Sequence, residues 1–566
     1  MRSLLKEHLT DDFQYFSLTT DMWTSRVMDS FISLTVHYVT TEFDLVSYTL
    51  EVSSFPGKHT GVRIAAKICN MMREWDLDIS RVAKLVRDNG SNIVKACDDL
   101  DVEHFGCMAH SLHLVVSGAL SKYHKDVCEM DEESENCDDV AEIEEGEEMW
   151  VEDIENELEA IACLEKELEE IGVPSIDVVE DDNMPDTSVD HDVQRAVDLE
   201  TDDSLDDGLL DGCLSARATA KLMNAMKKAM NATRAHVARF RKIVHYFRHS
   251  AKGKDKLKAL QTDAEPLTVI NDVATRWNST HQMIRRLLVL KPVVLKFLEF
   301  IRTSRGKEDF SDVNMARPTG EMWFTIECLD KLLVSFNGMT EVLSGDSYPT
   351  ITLAFPCLRL LERRLKSSNI FTKVARSHLG EHYYAVVLKQ MHLVRRLLVL
   401  LLKKRFKDIP LDVKYCCLLD PQFANGEFLS PTEREEGALF LEDEAIRLTG
   451  ANVAPSEHNT SFLEDSDDEP DFAKVALYFD QCKLLEKSKS VNKAKSKRRK
   501  KLDGGLKWWK DNASDFPLLA PVARKFFGIV ATSVPSERCF SRAGNAITAQ
   551  RNRLTGEHVR DILFLH

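Results

Sequence analysis

Residues 18–25 read LTTDMWTS and place one carboxylate, that of Asp21, at the end of a run typical of a β-strand. In a parallel or mixed sheet, reacting groups collect at strand ends. A single aspartate beside a tryptophan is equally typical of a loop that ends a strand. The stretch therefore needs partners elsewhere in the chain before it indicates a site.

Three runs rich in β-branched and aromatic residues stand at the start of the chain and are separated by short polar turns. They are FSLTTD, SFISLTVHYVT and LVSYTLEVSSF, and they predict three consecutive strands in a meander. A helix over TGVRIAAKICNMMREW and a buried strand over VAKLV, residues 82–86, are predicted to follow. A short strand near HFGC and a helix from about Met108 to Ser121 complete a βββαβα(β)α order.

A second aspartate, Asp88, directly follows the predicted fourth strand in the turn RDNGSN. Strands one and four of such a unit are commonly parallel neighbours, which would set their ends about 5 Å apart. Two carboxylates at that separation repel unless a cation lies between them, and Mg²⁺ is typically held by one or two carboxylates and several waters. The pair predicts half of a two-metal site for phosphodiester chemistry, which a third acid from a later helix would complete.

The net charge of the chain hides two opposite parts. The 566 residues carry −18, but residues 129–211 hold 35 Asp and Glu against two basic residues, so the rest of the chain carries +15. The acidic segment is too charged and too poor in apolar residues to order, and we expect it to be mostly disordered. Residues 215–260 hold thirteen Lys and Arg against one Asp and predict a basic helical arm.

Cysteine usage and hydropathy exclude two classes of protein. The thirteen cysteines include no C-x-x-C pair, which predicts a reducing compartment rather than a disulfide-rich secreted protein. The longest apolar run, LVRRLLVLLLKKRF, is interrupted by two arginines and is shorter than the roughly 20 residues of a membrane span. It predicts a buried or partner-facing helix, and we expect no membrane partner.

The rest of the chain divides by composition. PLTVINDVATRWNST, residues 266–280, predicts one more strand and a turn. We expect six segments: 1–125 as the first part of an α/β core, 129–212 as the acidic insert, 213–280 with the basic helix, 281–450 as an all-α domain, 451–503 as an acidic and then basic linker, and 504–566 as an apolar C-terminal segment. The linker ends in KAKSKRRKK, which is typical of a nuclear-import or phosphate-contact signal and equally of a solvated charge run.

Five motifs in this order carry a resemblance to a known family. They are LTTDMWTS, RDNGSNIVKA, FGCMAHSLHLVV, DVATRWNST and the terminal ATSVPSERCFSRAGNAITAQRNRLTGEHVRDILFL. Together they resemble the hAT superfamily of DNA transposases and its domesticated, BED-finger-containing relatives. The resemblance covers nearly the whole chain, and the S-E-R-x-F-S core of the last motif is its most specific part.

The resemblance implies a fold, a cofactor and a set of site residues. The fold is an RNase H-like α/β core interrupted by a large all-α insertion, with a C-terminal hAT dimerisation segment. The implied acid triad is Asp21, Asp88 and Glu537, which would be both catalytic residues and ligands of Mg²⁺ or Mn²⁺. The implied DNA-contacting residues are Cys107, His110, Arg276 and Trp277, with the aromatic residue stabilising a flipped-base hairpin state. The apolar residues of the implied dimerisation segment are Trp508, Trp509, Phe516, Leu518, Leu519, Phe526, Phe527, Leu563 and Phe564.

Two features depart from the family pattern. Arg87 stands before the second aspartate, where the family often has a small hydroxyl residue, and a cation there would compete with a metal ion for Asp88. The chain begins just before the first catalytic strand, so we expect the family's N-terminal BED-type zinc finger to be missing. Cys107, His110 and His113 form a lone C-x-x-H-x-x-H without a second ligand pair, and no structural zinc is expected in this chain.

These observations predict a nuclear protein derived from an hAT transposase. Its expected partners are DNA and a second copy of itself, without a small-molecule substrate. Two readings stay open: a DDE-type transposase that cleaves and transfers strands with a metal ion, and a domesticated regulator or dimerisation scaffold that contacts DNA or chromatin without chemistry. Without the resemblance, Glu537 is equally typical of a surface residue paired with Arg538 or Arg542.

Overall fold

The structure, a computed structural model, describes residues 13–24, 29–120, 216–262, 265–272, 277–311, 315–449 and 504–538, with residue 313 and three residues before 13. The acidic insert, the linker 451–503 and the end of the chain from 539 lie outside the described residues. Predictions for these segments stay predictions. They include the KAKSKRRKK signal and the residues Leu563 and Phe564.

Five strands and fifteen helices, followed by a short helical segment over residues 534–538, make up the described part of the chain. They are β1 (Phe16–Thr24), β2 (Ser30–Val39), β3 (Leu45–Ser54), α1 (Gly61–Glu74), β4 (Val82–Arg87), α2 (Ser91–Asp99), β5 (His104–Gly106), α3 (Met108–Leu120), α4 (Ala216–His249), α5 (Ala251–Ala259), α6 (Trp277–Phe300), α7 (Ser304–Asp309), α8 (Gly320–Leu343), α9 (Ile351–Lys366), α10 (Thr372–Ala375), α11 (Tyr384–Arg405), α12 (Leu411–Tyr415), α13 (Pro431–Thr449), α14 (Gly504–Asn512) and α15 (Leu519–Phe527). Short 3₁₀ turns lie between several of them.

The strands form one mixed sheet in the order β3-β2-β1-β4-β5. β1, β2 and β3 are an antiparallel meander, while β4 pairs in parallel with both β1 and β5. The meander and the parallel pairing of the first and fourth strands are therefore confirmed. The strand predicted in residues 266–270 is wrong, because none of the described residues 265–272 is in a strand.

One face of the sheet is apolar and buries α1 and α2. Leu18, Ile32, Leu34 and Val36 on the strands form one cluster with apolar residues of both helices, and each of the four is fully buried. Side chains alternate between the two faces of a strand, so the same alternation gives β1 a polar face with Ser17, Thr19 and Asp21. Burial of one large apolar side chain contributes about 2 kcal/mol, so this cluster holds the strand register firmly.

The chain divides into two compact units. The first comprises residues 1–111, 339–360 and 408–566, and the second residues 112–338 and 361–407. The predicted all-α domain 281–450 is thus not one body, because its residues 339–360 and 408–450 belong with the sheet. The predicted helix with two arginines is α11, whose apolar side chains from Leu393 to Leu402 are buried as expected.

Arg395 explains how a cation is accommodated inside α11. Its Nη1 donates hydrogen bonds to the carbonyl oxygens of Lys366 and Ser367, at 3.2 and 2.9 Å, at the C-terminal end of α9. Carbonyls at a helix end lack intrahelical donors and attract positive charge. No helix in the described part of the chain is long and apolar enough to cross a membrane.

Candidate active site

The two predicted aspartates lie just beyond the paired residues of β1 and β4. The parallel register of these strands ends with Thr19 opposite Val86. Asp21 follows Thr19 by two residues within β1, and Asp88 follows Val86 by two residues, directly after β4 ends at Arg87. Both residues are partly exposed as a whole.

Asp88 is held by the turn that connects β4 to α2. Its Oδ1 accepts a hydrogen bond from the backbone N–H of Gly90 at 3.0 Å, just before α2 begins at Ser91. Burial raises the pKa of the Asp88 carboxyl, against smaller opposing effects of the Gly90 N–H and of the Arg87 charge. The charged form of Asp88 is thus incompletely compensated by protein groups, which is the electrostatic condition that a bound cation relieves.

Arg87 donates its hydrogen bonds to groups other than the Asp88 carboxylate. Its Nη1 donates to the backbone oxygen of Asp88 at 2.7 Å, and its Nη2 lies 3.1 Å from Nδ1 of His104. His104 in turn contacts Asp98 through Nε2 at 3.0 Å. The guanidinium is therefore anchored to α2 and β5, and its direct competition with a metal ion is weaker than the sequence suggested.

The segment that carries Glu537 runs along the polar face of β1. The Ser17 hydroxyl donates to the Gly528 carbonyl oxygen at 2.6 Å, and the hydroxyls of Thr19 and Ser536 are 2.9 Å apart. Ser17, Thr19 and Asp21 share one face of the strand, and Glu537 directly follows Ser536 in the chain. The Glu537 side chain itself is exposed.

Arg538, the residue after Glu537, anchors this short helical segment through two contacts. Its Nη1 is 2.8 Å from Oδ2 of Asp346, and its Nη2 donates to the Ser344 carbonyl oxygen at 2.7 Å. Arg538 thus binds Asp346 and the backbone at the end of α8. Glu537, the residue before it, is exposed.

A buried histidine contacts the same Thr19 hydroxyl from within the sheet. His37 lies 3.2 Å from the Thr19 hydroxyl through Nε2 and 2.7 Å from the Ser47 hydroxyl through Nδ1. Burial lowers the pKa of His37 to about 3, so the imidazole is neutral at physiological pH. Sequence reasoning missed His37, Thr19 and Ser536, although the alternating polar residues in SLTTD give a signal for a polar face.

Cys107 joins three elements rather than facing solvent. It is fully buried, and its Sγ accepts hydrogen bonds from the N–H groups of Ser533 at 3.2 Å and His110 at 3.5 Å. Its own N–H donates to the Arg87 carbonyl oxygen at 2.6 Å. The predicted contact between Cys107 and DNA is therefore not supported, because a side chain without exposed surface cannot touch DNA in this conformation. His110 is partly exposed in the first turn of α3.

Cys107 should resist alkylation in the folded protein. Burial, followed by the nearby Glu537 charge, raises the pKa of the thiol to about 11, so about one thiol in a thousand is ionised at pH 8. We expect iodoacetamide to modify Cys107 at least tenfold more slowly than the partly exposed Cys69, as followed by mass spectrometry of peptides. Equal rates in the native protein, with equal rates after denaturation as the control, would contradict the burial of Cys107.

The R-W pair falls at the edge of what the structure describes. Arg276 lies outside the described residues, and so does the side chain of Trp277, whose backbone begins α6. The residues on either side are tied together: Oδ2 of Asp272 is bound by Nε of Arg241 at 2.5 Å and by the Thr280 hydroxyl at 3.2 Å. The roles of Arg276 and Trp277 stay predictions.

Most residues predicted for dimerisation lie inside the first unit. Five are almost completely buried by their own chain, and the other two in the described part, Trp508 and Leu518, are half-buried. The five are Trp509, Phe516, Leu519, Phe526 and Phe527. They are core residues here, since a buried side chain offers no surface to a second chain. Self-association through this region would then use other residues.

No group of three or more His, Cys, Asp or Glu side chains that could hold a metal ion occurs among the described residues. The structure places Asp21 and Asp88 each two residues beyond the last paired residues of β1 and β4, and it places Ser536, the residue before Glu537, in contact with Thr19 of β1. It does not gather the three carboxylates into one ligand cluster.

Three protein-family profiles match separate parts of the chain. The profile described as the ZBED1 RNase-like domain matches residues 19–111, the ZBED1 RNase-like helical domain matches 216–317, and the hAT family C-terminal dimerisation region matches 482–566. A putative AC transposase of Zea mays is 24% identical over 314 residues, which are 52% of this chain and 36% of that protein. The human zinc finger BED domain-containing protein 4 is 23% identical over 57% of this chain and 26% of its own length. These matches support an hAT-family transposase or a domesticated relative of one.

A second maize relative, the putative AC9 transposase, is 24% identical over 52% of this chain and 37% of its own length. The matches thus span about a third of the length of these hAT relatives. The RNase-like match contains Asp21, Asp88, Cys107 and His110, the helical match contains Arg276 and Trp277, and the hAT dimerisation match contains Glu537. The order of the five motifs is therefore the order of the three matched regions.

Proposed function

We propose that this hAT-family chain is a nuclear protein that self-associates, binds DNA and cleaves and transfers DNA strands at Asp21, Asp88 and Glu537 on an RNase H-like fold. The observation that supports this best is the geometry of β1. Its register with β4 ends at Thr19 and Val86, and Asp21 and Asp88 each follow two residues later. Its Thr19 hydroxyl is 2.9 Å from that of Ser536, the residue before Glu537.

The two aspartates fit a hard divalent cation. Mg²⁺ is commonly bound by one or two carboxylates with water completing its shell, so Asp21 and Asp88 would suffice to hold one ion. The raised pKa of Asp88 is consistent with this, because the carboxylate lacks a full counter-charge. When bound, such an ion supplies Lewis-acid polarisation of a phosphate oxygen and a more nucleophilic water.

The chain's own residues would orient this chemistry. The N–H of Gly90 directs one oxygen of Asp88, and the N–H of Met22 donates to Oδ1 of Asp21 at 2.8 Å. Arg538, bound to Asp346, holds the segment on which Glu537 lies. Glu537 would hold or move a proton at its carboxylate, and its exposure leaves room for a DNA strand.

A second candidate function follows from that same exposure. Among the three acids, Glu537 is exposed, whereas Asp21 and Asp88 are partly buried. If it stays apart from the aspartates, the protein would be a non-catalytic regulator or scaffold that contacts DNA or chromatin and self-associates. The match to the C-terminal dimerisation region supports self-association under either function.

A strand-cleavage assay separates the two functions. We expect the full chain to nick supercoiled plasmid DNA with Mg²⁺ or Mn²⁺ but not with EDTA. Asp21→Asn and Glu537→Gln should each lower the rate at least a hundredfold, because each removes a group that acts in the transition state. Asp99→Asn, an exposed aspartate at the end of α2, is the matched control and should retain the rate. Plasmid binding without metal-dependent nicking would favour the regulator.

A further inference from the structure

A cavity of about 290 Å³ lies at the other end of β1 from the acids. Its walls come from the residues before β1, including Tyr15, from Thr41 after β2, and from Pro521 and Arg524 of α15. β1 begins at Phe16 and rises about 3.3 Å per residue, so Tyr15 and Asp21 are about 20 Å apart. The cavity is therefore separate from the candidate active site.

Arg524 brings an uncompensated positive charge to this cavity. Its guanidinium is half-buried and has no hydrogen bond or ion pair with any residue in the described part of the chain. The ring centroid of Phe43 lies 5.6 Å from Cζ of Arg524. Burial lowers the pKa of Arg524, which remains charged at physiological pH. A desolvated guanidinium without a partner is costly, and an anion in the cavity would remove that cost.

The neighbouring charges do not cancel that of Arg524. Lys525, also in the cavity wall, lies 2.6 Å from Oε1 of Glu444 through Nζ, and Arg447 donates to Oε2 of the same carboxylate at 3.0 Å. One carboxylate is thus shared by two cations. Asp44, next to Phe43, lies 3.3 Å from Nζ of Lys510. Glu103 adds a further negative charge near Lys525 and Arg447, and it is itself paired with Nζ of Lys84 at 2.7 Å. In the described part of the chain, Arg524 is therefore a cavity cation without a carboxylate partner.

We propose that this cavity binds a phosphate ester, with Arg524 donating to the phosphate oxygens. The planar guanidinium matches two oxygens of a phosphate at once, and charge-assisted bonds of this kind are the strong ones. The volume exceeds that of a phosphate alone, and Tyr15 and Pro521 offer apolar walls for a sugar or a base. A free nucleotide and the backbone of a DNA strand share this chemistry. The site uses none of the acids of the candidate active site.

Isothermal titration of the full chain in EDTA tests the proposal with three probes. They are inorganic phosphate, adenosine 5′-monophosphate and a twelve-nucleotide single strand without a terminal phosphate. Arg524→Gln should weaken binding at least tenfold, because it removes the charge-assisted bonds, whereas Arg524→Lys should weaken it less. Lys507→Gln, an exposed cation on α14, is the control and should bind as the unaltered chain does. Binding of the mononucleotide identifies a free ligand, and binding of the strand alone identifies DNA backbone; both support the site.

A second variant guards against an effect on folding. Thr41 is exposed at the cavity, so Thr41→Glu should fold normally and place a competing carboxylate near Arg524. We expect it to abolish phosphate-ester binding with an unchanged melting temperature. If none of the probes binds, or if Arg524→Gln and Thr41→Glu bind like Lys507→Gln, the proposal is overturned. The titrations are made in EDTA, whereas nicking requires Mg²⁺ or Mn²⁺, so failure of the metal site and failure of this site are distinguishable.

Discussion

Asp88→Asn should make the protein more stable and inactive at the same time. Burial raises the pKa of Asp88, so the folded state disfavours its charged form. Asparagine keeps an oxygen that accepts the Gly90 N–H and removes the charge. Without metal at pH 7, we expect a higher free energy of unfolding and a higher Tm than those of the unaltered chain. Nicking activity should fall about a thousandfold or more.

The sign of the pH dependence follows from the direction of the shift. A carboxyl with a raised pKa in the folded state holds its proton more tightly there than in the unfolded chain. Its contribution to stability is fully present below the unfolded pKa near 3.8 and is lost as the pH rises through the folded value. The stability difference between Asp88→Asn and the unaltered chain should therefore be small near pH 4 and grow toward neutral pH.

Added Mg²⁺ should reverse the order of stability. An ion that binds only the folded state adds RT ln(1 + [L]/Kd), which is about 2.7 kcal/mol at a hundredfold excess over Kd. The unaltered chain should gain this stability and Asp88→Asn should not. The measurement is calorimetric melting with and without about 10 mM Mg²⁺, a concentration chosen to saturate a weak site. Asp99→Asn is the control. Equal gains in all three proteins would place the ion elsewhere.

The sheet could be predicted because its determinants are local. Alternating residues in SLTTD and SLTVHYV define which face of each strand is buried, and the pairing of β1 with β4 follows from the meander that precedes it. Asp21 and Asp88 were found for the same reason, since a strand end is visible in a sequence. The run PLTVI misled because its apolar residues were too few to distinguish a strand from an extended loop.

The path of Glu537 could not be derived from local pattern. Its segment reaches β1 through hydrogen bonds between residues separated by more than 500 positions, Ser17 with Gly528 and Thr19 with Ser536. Hydroxyl and carbonyl groups occur throughout any chain, so their pairing depends on tertiary structure. Only the family resemblance linked Glu537 to the aspartates.

The C-terminal apolar residues show a further limit of sequence reasoning. Composition predicts that a run such as WWKDNASDFPLLAPVARKFFGIV must be buried, but it does not say against what. The structure packs α14 and α15 within the unit that contains the sheet. The ring of Trp509 stacks on that of Phe43, with centroids 5.8 Å apart and planes 11° apart.

Trp509→Ala should destabilise the chain without dissociating an oligomer. Trp509 is fully buried, and its Nε1 donates to the Leu419 carbonyl oxygen at 2.8 Å. Removing a large buried aromatic side chain leaves a cavity and costs about 3–5 kcal/mol, so we expect Tm to fall by roughly 10 °C. Trp509→Phe should lose less, because it refills most of the cavity and sacrifices mainly the hydrogen bond, at about 1–2 kcal/mol.

The half-buried neighbour Trp508 provides the matched control, and we expect Trp508→Ala to lose less stability than Trp509→Ala. Melting at two protein concentrations about a hundredfold apart separates a core role from an interface role, because only the stability of an interface depends on concentration. For Trp509→Ala we expect the same loss at both concentrations and an unchanged sedimentation coefficient of the folded protein. If the variant instead melted like the unaltered chain but sedimented as a smaller species, Trp509 would be an interface residue, and the C-terminal helices would owe their burial to a second chain.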